Sequence, residues 1–116
     1  MNIAHLYVET INRIQSGESL AEIPNSDLEA TLICVAADVH NRLGRLNRFP
    51  DARAALERAS KLVSSEHRSI VQDAWLRESS GGALSVDEEA AMTLNSTSML
   101  QAFQAEQQRR AAGRVN

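Results

Sequence analysis

The chain has 116 residues, 43% of them hydrophobic and 23% charged, and a net charge of −3. That length suits one domain, with a core large enough to fold without staples. The acidity speaks against general nucleic-acid binding, the single cysteine excludes an internal disulfide, and the longest nearly apolar run (residues 30–37) is far short of a membrane span.

Few aromatic residues and much alanine and leucine favour helix over sheet. Residues 2–16 form a first predicted helix, with Ile3, Tyr7, Ile11 and Ile14 on one stripe and Ala4 and Leu6 beside it. Gly17 is placed to end it in the left-handed conformation. Glu18 to Ile23 read as a short helical turn closed by Pro24, after which Ser26 and Glu29 read as a capping box.

The next helix, 26–47, is apolar on two opposite faces at 100° per residue. Leu28, Leu32, Val35, Val39, Leu43 and Leu46 make a large face; Ala30, Ile33, Cys34, Ala37 and Gly44 make a mostly small one. Two apolar faces require two partners, so the small face is a candidate self-association surface. The ordinary alternative is that it receives another helix of the same chain, as in the central helix of a bundle. Gly44 weakens the helix by about 1 kcal/mol relative to alanine unless close packing offsets it. Phe49-Pro50 is the firmer stop.

Pro50 is suited to be the first residue of a helix reaching residue 64, with the stripe Ala52, Ala55, Leu56, Ala59, Leu62 and Val63. Ser64-Ser65 interrupts and can cap a helix at about 66–78, striped by His67, Ile70, Val71, Ala74 and Trp75, with Leu76 pointing away. Ser79-Ser80-Gly81-Gly82 marks a loop. Ser85 and Glu88 make a second capping box for a last helix, 86 to about 110. Its apolar residues are scattered and its middle, Asn95 to Ser98, is polar, which suits docking better than a core. The expected fold is therefore all-α, a single-domain bundle of about five helices over 1–116, with a flexible loop near 79–84 and a frayed tail at about 110–116.

No chemistry assembles along this chain. His5, His40 and His67 lack metal-ligand spacing, and Cys34 sits mid-helix among apolar neighbours that would raise its pKa. Asp87-Glu88-Glu89 is explained by the positive end of a helix. The expectation is no catalytic residue, no cofactor, no metal and no enzyme activity. No signal peptide is evident, so a cytoplasmic protein with no membrane association is expected. Eleven arginines against one lysine point to a GC-rich bacterial genome.

Charge is uneven: residues 42–61 carry +4 between flanks of −5 and −2. Arg42, Arg45, Arg48, Arg53 and Arg58 are thus candidate phosphate contacts of a DNA-associated regulator, the alternative to the leading reading. Two short helices joined by a turn there suit a helix-turn-helix, but Glu66, Asp73 and Glu78 on the second would repel phosphate. The leading reading is a non-enzymatic regulator that binds a protein target, such as a bacterial or phage inhibitor or antiactivator. Its candidate partner-binding residues are Trp75, Leu76, Met92, Met99 and Phe103, since aromatic and methionine-bearing helical surfaces adapt to a partner. A homodimer through the small face is expected alongside. Asp27-Leu28-Glu29, the apolar helix after it and His40 resemble the start of helical quorum-sensing antiactivators.

Overall fold

A computed structural model describes residues 3–113. The fold class is all-α, a small helical bundle. Among the described residues five helices follow in order, α1 (Ile3–Gln15), α2 (Asn25–Leu46), α3 (Ala52–Ser60), α4 (Ser64–Ser79) and α5 (Val86–Gly113), with a 3-10 turn at Leu20–Glu22. The side chains of Ile3 and Ala4, the expected helix start at residue 2, and the expected tail beyond residue 113 lie outside the described residues.

Local punctuation sets most of these boundaries. At the end of α1 the Gly17 N–H donates to the Ile14 carbonyl and the Glu18 N–H to the Arg13 carbonyl, with Gly17 at φ +100°. The end of α4 repeats the pattern: Gly81, at φ +84°, donates to Glu78 and Gly82 donates to Arg77. Both are Schellman closures that satisfy orphan carbonyls, and both need a residue that tolerates positive φ. Ser85 and Glu88 form the expected box: the Ser85 N–H donates to Glu88 Oε1 at 2.9 Å, and the Glu88 N–H donates to Ser85 Oγ at 3.2 Å.

Three starts differ from expectation. The Leu28 N–H donates to the Pro24 carbonyl, so α2 begins at Asn25. Ser26 is then already inside the helix, and its hydroxyl turns to Asp27 instead of capping. Pro50 does not open α3. The chain first makes a turn in which the Ala52 N–H donates to the Phe49 carbonyl, and Asp51 becomes the cap residue. That helix stops at Ser60, because Lys61 and Leu62 close it with tight i−3 bonds and Val63 turns extended. Val63, not a serine, then occupies the cap of α4.

The chain forms two compact units: residues 1–38 with 98–116, and residues 39–97. In the first, Ile23, Leu28, Val35 and Phe103 are buried, as are Ala30, Thr10 and Thr31. The two threonine hydroxyls donate to the carbonyls of Leu6 and Asp27, four residues back, so neither is buried unsatisfied. Arg110 fastens this unit. Its guanidinium donates to the Leu20 and Ile23 carbonyls (2.9 and 2.6 Å), to Asn25 and to Glu106. Residues 110–113 are therefore helical, where a frayed tail was expected.

The second unit is built on alanine. Leu46, Ala55, Ala59 and Ala90 form its core, with Ala52, Leu56, Val86 and Leu94 packed around them. Ala74, Ala91 and Met92 are buried in the same unit. Alanines allow close approach of helix backbones, and the bulk is supplied by a few large residues.

Candidate protein-binding surface

The small face of α2 divides. Ala30 is buried and Cys34 half-buried, and burial pushes the Cys34 thiol up. Ile33 is 59% exposed and Ala37 is exposed. A Cβ built on Gly44 would meet nothing within 4 Å. Of that face Ile33, Ala37 and Gly44 thus remain open, and among the described residues no close helix contact offsets the glycine. Ile33 also lines a groove in the first unit with Leu32, Ala36, Leu100, Glu29 and Gln104. The large face is buried at Leu28, Val35 and Leu46, but Leu43 is 39% exposed.

The last helix corrects the expectation placed on it. Met92 and Phe103 are buried at 5% and 3% exposure, so they are core side chains and cannot meet a partner. Met99 is half-buried. Far from being a poor core helix, α5 also buries Ala90, Ala91, Thr93 and Ser96. Its inward positions are small or hydroxylated, so they leave little trace in hydrophobic periodicity. The Thr93 and Thr97 hydroxyls donate to carbonyls four residues back, which makes this polar stretch compatible with burial.

On α4 both candidate partner-binding residues are exposed. Trp75 is 49% exposed and Leu76 70%, while the preceding Ala74 is fully buried. One helical step takes the chain from core to surface, and two large apolar side chains follow in succession. Val63, at the cap of the same helix, is 60% exposed.

Most of the basic block is engaged. Arg42 is buried and donates through both terminal nitrogens to Glu78, at 2.9 and 3.1 Å. Its Nη1 lies 3.9 Å from Glu89 Oε1. Arg45 donates to Glu89 Oε2 at 3.1 Å, and Arg58 forks onto Asp87. Arg42 was expected at the surface among the phosphate contacts; instead it is a core cation shared by two carboxylates. Arg45 and Arg58 are exposed but already hold carboxylates. Arg48 and Arg53 remain exposed without an ion pair among the described residues.

Sequence reasoning missed Glu89 as a buried partner. It is 4% exposed, and its Oε1 has no hydrogen-bond partner. An acidic residue at a helix start is ordinarily solvated there, so only the approach of Arg42 and Arg45 distinguishes it. Among the described residues no group of three His, Cys, Asp or Glu side chains could hold a metal ion, and no helix is long and apolar enough to cross a membrane. Compared with protein-family models, with curated proteins and with solved structures, the chain gives no match.

Proposed function

We propose that this protein is a non-enzymatic regulator that acts by binding another protein, and that α4 carries the contact. One observation carries the reading: Trp75 and Leu76 are adjacent, large, apolar and exposed on a helix whose inner side is anchored by the fully buried Ala74. Tryptophan is the residue type that most often dominates an interface when a partner covers it. The reading extends to a cytoplasmic bacterial or phage inhibitor or antiactivator. Ile33 and Ala37, both exposed, support a homodimer as a second contact of the same protein.

DNA association through the basic block is supported less, because Arg42, Arg45 and Arg58 already hold carboxylates. Phosphate would have to displace those partners or use Arg48 and Arg53 alone.

The test is affinity capture from a bacterial extract with the wild-type chain and a Trp75→Ala/Leu76→Ser variant side by side. Any captured protein is then purified and titrated against both. The expected result is a one-to-one complex that the variant loses by at least about 30-fold, as for a central hot spot. Equal binding by both chains refutes the assignment to α4. Retention on heparin that falls steeply with salt, with no protein captured, would favour the DNA reading.

A further inference from the structure

The outer face of α4 has a charge layout that restricts its partner. Taking Ala74 as the centre of the buried side, 100° steps place Trp75, Arg68, Gln72 and Leu76 across the opposite half of the helix. All four are exposed, as are Ser65 among them and Ser69 just beyond Leu76. Arg68 and Trp75 are seven residues apart, so they lie on one line about 10 Å from each other. Asp73 and Glu66 border the far side, next to Leu76 and Ser69. Round the helix, Trp75 and Arg68 share one edge, Gln72, Ser65, Leu76 and Ser69 follow, and Asp73 and Glu66 make the other edge beside Arg77, whose charge is held by Glu88.

Arg68, like Arg48 and Arg53 of its unit, is exposed without an ion pair among the described residues, and it is the one of the three that shares a helix with Trp75 and Leu76. Arg42, Arg45, Arg58 and Arg77 each hold a carboxylate: Glu78, Glu89, Asp87 and Glu88. Arg68 holds none among the described residues, although Asp73 and Glu66 lie on its own helix. Those two acids project from the opposite edge, at spacings of five and two residues that do not bring side chains together. An exposed guanidinium free of carboxylate lies two turns from an exposed tryptophan on the same face.

Resting on the protein-binding reading above, we propose that this face receives an amphipathic helix with carboxylates along one border of its apolar stripe. The partner's apolar side chains cover Trp75 and Leu76. Its Asp or Glu pairs with Arg68, whose planar fork donates two parallel hydrogen bonds to the carboxylate oxygens. Glu66 and Asp73 repel acid at the other edge and so fix which way the stripe is turned. A phosphate backbone, acidic on all sides, would meet Glu66 and Asp73 as well as Arg68.

The experiment is selection of a random 16-residue peptide library on the whole chain, with the Trp75→Ala/Leu76→Ser variant as counter-selection. Enriched peptides are then titrated by Trp75 fluorescence. The expected result is enrichment of Leu or Phe at helical spacing with Asp or Glu on one border only. Arg68→Glu should weaken these peptides about 5- to 10-fold at low salt, a loss that shrinks as salt screens it. Arg68→Lys, which keeps the charge, should recover part of the affinity. All three variants change exposed residues, and unchanged far-UV circular dichroism confirms that each is folded. Enriched peptides that are basic or neutral, or acidic ones indifferent to Arg68→Glu, overturn the proposal. If such peptides still require Trp75 and Leu76, the protein-binding reading stands without it. A labelled duplex that binds this face at low salt and is released by Arg68→Glu overturns both.

Discussion

Replacing Arg42 by alanine tests the least expected part of the structure. The guanidinium is buried and spans Glu78 and Glu89. The two carboxylates respond differently to its loss. The Glu78 side chain is one-third exposed and can be rehydrated, so its pair contributes little. Glu89 is 4% exposed and already has one oxygen without a hydrogen bond, leaving it only Arg45. Breaking a buried pair from one side costs about 3–5 kcal/mol. Because Arg45 stays on Glu89, the lower end applies, about 3 kcal/mol, including the packing of the aliphatic stem. For a domain of this size that is on the order of 10 °C in Tm. Urea unfolding followed by far-UV circular dichroism measures it. The double variant Arg42→Met/Glu89→Leu should recover all but about 1 kcal/mol, since it removes both charges and keeps the volume. A loss below about 1 kcal/mol for Arg42→Ala would refute the argument, because the cation would then be solvated.

Other expected outcomes follow from burial and open space. Gly44→Ala should stabilise the chain by about 0.5–1 kcal/mol, since the glycine lies inside α2 with nothing near its absent Cβ. A decrease in the urea midpoint would mean that another molecule packs there. Phe103→Ala should cost about 3–5 kcal/mol in the same measurement, whereas a docking residue would leave stability unchanged. Hydrogen bonding from Arg109, opposed by desolvation and helped by Arg110, holds the Glu106 carboxyl down at about 2, against an ordinary 4.5. The stabilisation from that depressed pKa is fully present above pH 4.5 and is lost as the pH falls toward 2. Glu106→Gln should therefore flatten the fall in Tm across that window, and an unchanged acid profile would remove Glu106 from the account.

What the sequence determined by itself is local. Gly17 and Gly81 end their helices because positive φ is cheap only for glycine, and Ser85 with Glu88 starts α5 because three residues suffice to close a capping box. The helical class and the exposure of Leu76 were legible in composition and in the 3.6-residue period. Tertiary structure decided what periodicity cannot carry. Ser26 did not cap α2 because the Pro24 carbonyl was in reach of the Leu28 N–H. Met92 and Phe103 went inward because small, hydroxyl-bearing neighbours on α5 can be buried once their hydrogen bonds turn back to the helix. Arg42 went inward because Glu78 and Glu89, distant in sequence, converge on it. A charged residue is read as exposed until its partners are in place, and only the folded chain brings them together.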